Sequence, residues 1–252
     1  MKIILNGILG HMGREVLKLC EGGYKGAECA IGVDPASDGS GINVRSFQDI
    51  GSVDGIDCIV DFSHHSATEA MLNFAVEKGL PVVVATTGHT DEEIGMIRGA
   101  AEKIPVFYSG NMSLGIALLI ELAKITALAM PEAEIEIIES HHDRKVDAPS
   151  GTALMLANAI CEVKPDSYSK VGRSGHGKRT KEEIGIHSVR MGNIVGIHEV
   201  IVGTNNQTIT LKHEAHDRAL FAEGGLSAAA FLVGKSAGLY DMSSLIDEQS
   251  RQ

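Results

Sequence analysis

The sequence predicts an α/β fold in two parts, a parallel-sheet domain followed by a mixed-sheet domain, and three observations carry that expectation. Short aliphatic runs alternate with helical patterns over roughly the first 110 residues. A glycine-rich turn joins the first aliphatic run to a helix. Beyond Asn111 the alternation stops, and several strand patterns follow one another with no helix between them. Apolar strands separated by helices build a parallel sheet covered on both faces, whereas consecutive strands build a mixed or antiparallel one. The expected architecture is an N-terminal parallel-sheet α/β domain plus an α+β mixed-sheet domain.

Lys2–Asn6 reads as a buried strand, and the helix after the glycine turn runs through residues 14–21. Residues 29–34 and 58–62 read as the next strands. Ser66 with Glu69 has capping-box spacing, in which each side chain satisfies an amide of the first helical turn, so a helix is expected to start there. Residues 81–85 are nearly all β-branched and form a strand, Thr90 with Glu93 repeats the capping box, and residues 104–108 close the series. A long apolar helix then runs from Leu114 to Ala129 and stops at Pro131, which cannot continue it. Residues 134–139 alternate charged and aliphatic side chains, the pattern of a strand with one solvated face. A helix follows Ser150, and residues 164–181 read as a polar, glycine-containing loop. Strands are expected over 186–191, 194–202 and 207–213, and a final helix over 218–236. The change of rhythm after Asn111 separates a first domain, 1–112, from a second that begins at 113.

Composition narrows the function. Apolar residues make up 44% of the 252, aromatics only 4% and Trp none, so aliphatic side chains and Met must build the interior. A net charge of −11 with no long Lys/Arg run argues against a nucleic-acid partner. No run of 18 apolar residues is available to span a bilayer. Cys20, Cys29, Cys58 and Cys161 are scattered without a CxxC pair, which suits a reducing compartment better than a disulfide framework or a zinc site. Asn6 and Gly7 interrupt the apolar N-terminus and no small-residue cleavage site follows, so it reads as a strand and a cytoplasmic location is expected.

The cofactor signal is Gly7-Ile8-Leu9-Gly10-His11-Met12-Gly13, placed between the first strand and the first helix. Gly7 permits a tight turn, Gly10 lets the backbone approach a pyrophosphate, and Gly13 lets helix and strand pack closely. The helix start adds unpaired amides for the phosphates. Leu9 occupies the place of the usual middle glycine, so the spacing alone is weak, and a glycine turn in a non-nucleotide protein is the alternative. Asp34, 21 residues beyond Gly13 at a strand end, restores specificity. Such a carboxylate bonds the adenosine ribose hydroxyls and repels a 2′-phosphate. With Pro35, Ala36 and Ser37 next and no adjacent arginine, NADH is the favoured cofactor, with NADPH the other candidate.

The densest polar cluster is 139–152, Glu-Ser-His-His-Asp-Arg-Lys-Val-Asp-Ala-Pro-Ser-Gly-Thr. His141, His142, Arg144 and Lys145 concentrate cationic donors on an acidic protein. Ser150-Gly151-Thr152 then opens a helix whose hydroxyl cap and exposed amides suit a carboxylate. Hydride reduction of a C=C or C=N bond needs a proton on the neighbouring atom, and a histidine or a lysine can supply it. The bland alternative is a solvated loop of charges, which the attached anion-binding helix start disfavours.

The run from Glu139 through His141, His142, Lys145, Asp147, Pro149, Ser150, Gly151, Thr152 and Ala153 resembles the E-x-HH-x-x-K-x-D-x-P-S-G-T-A signature of the 4-hydroxy-tetrahydrodipicolinate reductases. The likeness extends over nearly the whole chain, through Asp61-Phe62-Ser63, Ala85-Thr86-Thr87-Gly88, Asn111 to Gly115 and Arg190 to His198. By that resemblance His141 is the proton donor or acceptor and Lys145 the second proton donor. His142 contacts a dicarboxylate substrate, and Ser150, Gly151 and Thr152 hold one carboxylate. It implies cofactor contacts at Gly7, Ile8, Leu9, Gly10, His11, Met12 and Asp34, and at Ala85, Thr86, Thr87, Ser109, Gly110, Asn111 and Met112. It further implies NAD(P)H-dependent reduction in the diaminopimelate route to lysine, an N-terminal Rossmann-type dinucleotide-binding domain of residues 1–112 completed by 220–252, residues 113–219 as the substrate-binding and tetramerisation domain, and a homotetramer.

Two positions depart from the family pattern. His11 stands where Arg or Lys is frequent, which weakens an NADPH assignment, and Ala85 replaces a frequent glycine. Alternatives remain another Rossmann-type NAD(P)-dependent amino-acid dehydrogenase and a catalytically silent NAD-sensing protein. His64-His65 and the His213/His216 pair read as structural or peripheral, with no metal expected. Asp61, at a strand's carboxyl end, suits a ligand contact or a helix cap equally.

Overall fold

The computed structural model describes residues 1–250. The chain opens with β1 (Lys2–Asn6), α1 (His11–Glu21), β2 (Glu28–Val33), β3 (Asn43–Val44), β4 (Cys58–Asp61), α2 (Thr68–Lys78), β5 (Val82–Val84), α3 (Asp91–Ala101) and β6 (Pro105–Tyr108). It continues with α4 (Leu114–Ala129), β7 (Glu134–His141), α5 (Gly151–Val163), β8 (Tyr168–Val171), β9 (Glu183–Arg190), β10 (Gly196–Gly203) and β11 (Thr208–Ala215). It ends with α6 (Ala219–Leu232), β12 (Gly238–Tyr240) and α7 (Met242–Gln249). Two compact units result, one from Met1–Ser113 joined by the segment from Arg218 onward, the other Leu114–Asp217.

In the first unit seven strands lie in the order β12-β6-β5-β4-β1-β2-β3, every pair parallel. The direction of winding reverses between β1 and β4. Sheets of this kind bind ligands in the crevice beyond the carboxyl ends of the strands at that switch point. Four of the five residues of β1 are buried, and β4 and β5 are buried throughout, as strands covered on both faces must be. One face is covered by α2 and α3 around Ile4, Ile59, Met71, Leu72, Val82 and Ile97. On β4, β5 and β6 and against α1 lies α6.

The second unit holds five strands in the order β11-β10-β7-β9-β8. Strand β10 is antiparallel to both neighbours, while β9 is parallel to β7 and β8, so the sheet is mixed. Helices α4 and α5 pack on it around Ile135, Ile137, Leu156, Ile160 and Val200.

Three expectations need correction. Ser66 does not cap a helix with Glu69. His64 holds the cap position in extended conformation, its Nδ1 accepting from the Ser66 amide at 3.3 Å, and a 3-10 turn over His65–Ala67 precedes α2. The expected loop 164–181 contains strand β8, which pairs with β9 on the sheet edge. All four of its residues are exposed, so ladder bonding alone defines it and no apolar alternation marks it. The final helix stops at Leu232 rather than 236, because Gly234 turns the chain at φ +80° into β12 and α7. Thr90 and Glu93 do form the expected capping box at the start of α3.

Candidate active site

Exposure alternates along β7, so Ile135, Ile137, Glu139 and His141 share the buried face. The aliphatic half of that face belongs to the core, and its last two positions place a carboxylate and an imidazole where the sheet ends. Register then supplies their neighbours: Arg190 of β9 lies opposite His141, and His198 of β10 opposite Glu139.

Glu139 is fully buried and organises the site. Arg190 grips it with both terminal nitrogens, at 2.8 and 2.7 Å. His141 Nδ1 lies 2.6 Å from Oε2, and the Ser150 amide donates to Oε1 at 3.0 Å. Charge-assisted bonds of this kind are the strong ones. Burial alone would push the carboxyl upward. The bonds from Arg190, Ser188, His141 and the Ser150 amide outweigh it and hold the group at about 2. Glu139 is therefore ionised and acts as an acceptor, which places hydrogen on His141 Nδ1 and leaves Nε2 as the tip that exchanges protons. Burial lowers His141 below the ordinary histidine value, against the opposing pull of Glu139. Gly196 leaves room beside the tip, since a Cβ there would lie 3.2 Å from Nε2.

Ser150 caps α5 through Oγ, which accepts from the Ala153 amide at 3.2 Å and pairs with His198 Nε2 at 3.1 Å. The His141 and His198 rings meet edge-on at 5.2 Å. Burial, and then the neighbouring His141, push His198 down to about 4. Between about pH 6.5 and 4 the unfolded chain takes up a proton that folded His198 refuses, so this contribution to stability is complete above 6.5 and is lost as pH falls through that window. His141, shifted the same way, adds to it. The expected loss is about 3 kcal/mol for the His198 shift. His198→Asn should flatten the curve of unfolding free energy against pH in urea titrations, and an unchanged slope would refute the assignment.

Lys145 reaches Asp147 at 2.8 Å, and its hydrogen bond is the main cause lowering the Asp147 carboxyl. The surrounding loop is tied to the β9–β10 turn: the His142 amide donates to Ile194 at 2.8 Å, the Asp143 amide to Gly192 at 3.2 Å, and Arg144 to Asn193 at 2.6 Å. Gly151 is exposed and a Cβ on it would meet nothing, while Thr152 is half-buried in the same first turn. Thus His141, His142, Lys145, Ser150, Gly151 and Thr152 all lie in one unit, on one strand end, loop and helix start. Sequence reading gave no role to Glu139, Arg190, His198 or Asp147. The Arg190-to-His198 segment was visible as a motif, but only strand register reveals that it serves this cluster.

The first unit carries the glycine turn. Gly7 has φ +84°, and a Cβ there would sit 2.6 Å from the Phe62 carbonyl; one on Gly13 would sit 2.2 Å from the Gly7 carbonyl. Gly10 precedes α1 and supplies no side-chain cap. Asp34 follows β2, its two oxygens accepting from the amides of Leu9 at 3.1 Å and Ala36 at 3.0 Å. Turn and carboxylate are thus adjacent, the arrangement a dinucleotide's phosphates and ribose require, and the residues fit such a cofactor. Ala85, Thr86 and Thr87 follow β5, and Ser109, Gly110, Asn111 and Met112 follow β6, all beyond carboxyl ends of the same sheet. Ala85, Thr86 and Met112 are buried, and Ser109 Oγ donates to the Asn111 carbonyl at 2.7 Å.

A cavity of about 870 Å³ opens beside the turn, with Asn6, Pro35, Arg45, Ser63, His64 and Phe74 on its wall. Residues Ile8 to Met12 do not line it. Asp61 lies beneath, accepting from Asn6 Nδ2 at 2.8 Å and Ser63 Oγ at 2.5 Å, and burial raises its carboxyl. His65 pairs with Glu93 at 2.9 Å. Among the described residues no group of three or more His, Cys, Asp or Glu could hold a metal. No helix among them is long and apolar enough to cross a membrane.

Comparison with known proteins gives one answer along the whole chain. Residues 1–112 match the family model described as "Dihydrodipicolinate reductase, N-terminus", and residues 115–246 its C-terminal counterpart. A 4-hydroxy-tetrahydrodipicolinate reductase of Clostridium tetani is 41% identical over 98% of this chain and 97% of its own. That of Caldanaerobacter subterraneus subsp. tengcongensis is 42% identical over 98% of each. The dipicolinate-bound dihydrodipicolinate reductase from Paenisporosarcina sp. TG-14 superposes with TM-score 0.80 at 25% identity, covering 96% of this chain and 97% of that one. A myo-inositol dehydrogenase from Corynebacterium glutamicum shares the fold alone, at TM-score 0.62 and 17% identity. Two models that meet almost end to end, and relatives of one name aligned nearly throughout, place the chain in the dihydrodipicolinate reductase family of oxidoreductases.

Proposed function

We propose that this reductase converts 4-hydroxy-tetrahydrodipicolinate to tetrahydrodipicolinate with NAD(P)H, in the diaminopimelate route to lysine, using His141 and Lys145 for its proton transfers. The observation that carries the residue assignment is the buried Glu139–His141 pair beside the Ser150 helix start, 2.6 Å and 3.0 Å from one carboxylate. It fixes an imidazole tautomer next to amides suited to a substrate carboxylate. The cofactor supplies hydride. The chain supplies the rest: the first-turn amides of Gly151 and Thr152 and the ring of His142 hold the dianionic ring, while His141 Nε2 and the Lys145 ammonium deliver or accept protons. Overall the substrate loses water and gains one hydride and one proton.

Residues 1–112 with 220–252 are proposed as the dinucleotide-binding domain, with contacts at Gly7 to Met12, Asp34, Ala85 to Thr87 and Ser109 to Met112. NADH is the favoured donor, because Asp34 stands where the adenosine ribose hydroxyls would be received and a 2′-phosphate repelled. Residues 113–219 are proposed to bind substrate and to form a homotetramer. An apolar stripe on α4, with Leu118 47%, Leu122 40%, Ile125 61% and Leu128 60% exposed, supports the assembly. Light scattering should return four times the 26.7 kDa chain mass.

The function is tested by supplying the product of dihydrodipicolinate synthase and following cofactor oxidation. NADH should be consumed with a higher kcat/KM than NADPH. No oxidation above background with either would overturn the proposal, and a clear NADPH preference would overturn the cofactor choice.

A further inference from the structure

The cavity beside the glycine turn contains a cation that spacing from Asp34 conceals. Strand β3 pairs with β2 through Gly32 with Asn43 and Val33 with Val44, and the Asp34 amide donates to the Val44 carbonyl at 3.1 Å. The residue after Val44 is Arg45, so it emerges beside the turn that begins at Asp34, although 11 positions separate the two. Both Arg45 and Pro35 lie on the cavity wall, together with Ser46, Ser63 and His64. Arg45 Nε donates to the Ser37 carbonyl at 2.9 Å, which anchors the guanidinium. Its two terminal nitrogens form no hydrogen bond or ion pair with the described residues. The Asp34 carboxylate, by contrast, is already engaged by two backbone amides.

We infer that Arg45 is the residue that sets selectivity at the adenosine end, receiving a 2′-phosphate when one is present and so admitting NADPH beside the NADH that Asp34 favours. The inference rests on the dinucleotide-binding reading of this unit. A planar guanidinium with a free edge is the side chain best matched to a phosphate, since it can donate two parallel bonds. Its pinned Nε reduces the side-chain entropy lost on binding. Two carboxylates work against it: Asp34, and Asp38, whose own carboxyl is lowered first by Ser40 and more weakly by Arg45. The balance makes the pocket permissive toward the extra phosphate rather than demanding of it.

Titration calorimetry with adenosine 2′,5′-bisphosphate and with 5′-AMP separates the 2′-phosphate contact from everything else. The ratio of the two affinities should fall about tenfold in Arg45→Gln, the effect of losing a charged hydrogen bond, and recover in part in Arg45→Lys. The ratio of kcat/KM for NADPH over NADH should fall with it. In the wild type the bisphosphate affinity should weaken with salt more steeply than in Arg45→Gln. An unchanged ratio, or equal losses for both nucleotides as a disturbed Ser37 turn would give, overturns the role of Arg45. Failure of the wild type to bind AMP at all overturns the nucleotide reading beneath it, and the inference falls with that reading.

Discussion

Replacing His141 with alanine is expected to lower kcat by about 10²–10⁴-fold, the usual contribution of a positioned acid–base group. The fold should survive, because Glu139 keeps its two bonds from Arg190 and its bond from the Ser150 amide when the imidazole is gone. Cofactor affinity should survive as well, since the glycine turn and Asp34 belong to the other unit. Lys145→Ala should act in the same direction. Its ion partner Asp147 is 57% exposed, so removing the ammonium costs little stability. Steady-state rates, an NADH fluorescence titration and a thermal melt on each variant make the check. Turnover like the wild type in both would remove these groups from the chemistry.

A larger structural loss is expected from Glu139→Ala. The substitution leaves the Arg190 guanidinium, only 18% exposed, without its carboxylate, and frees the Ser150 amide and His141 Nδ1 at once. Breaking one side of a buried ion pair costs about 3–5 kcal/mol. Urea unfolding of the variant should show a loss of that size, and a loss below about 1 kcal/mol would mean the pair behaves as a surface bridge. Glu139→Gln tests orientation apart from folding. It keeps the shape and one acceptor but not the charge, so the pH–rate profile assigned to His141 should shift. An unshifted profile would mean that the carboxylate does not tune the imidazole.

Much of this was legible in the residues themselves. The capping box at Thr90 and Glu93, the glycine turn and the helix start at Ser150 are local signals, each set by a few neighbouring residues, and the structure repeats them. The pattern Glu134-Ile135-Glu136-Ile137-Ile138-Glu139 also held a clue. A strict period of two puts Glu139 on the aliphatic face with Ile135 and Ile137, and only a buried partner makes that placement tolerable. The partner could not be named, because Arg190 lies 51 residues away and reaches Glu139 through register between β7 and β9. Arg45 escaped for the same reason, since a cation sought next to Asp34 along the chain sits next to it across a strand pair. Exposed edge strand β8 and short β12 lacked any burial pattern to read.

The return of the chain to its first sheet has a consequence for synthesis. Six strands of that sheet leave the ribosome early, yet α6, with seven buried residues, and edge strand β12 emerge only after the whole Leu114–Asp217 unit. Until then the sheet face that α6 covers is open: Gly225 is fitted so closely that a Cβ would lie 2.8 Å from the Phe62 ring. The inserted unit is continuous in sequence and can close first, while the nascent N-terminal segment waits as an incomplete half. Strands β4, β5 and β6 therefore wait with their α6 face uncovered until the second unit has been made, the reverse of the usual order in which the first domain made is the first domain finished.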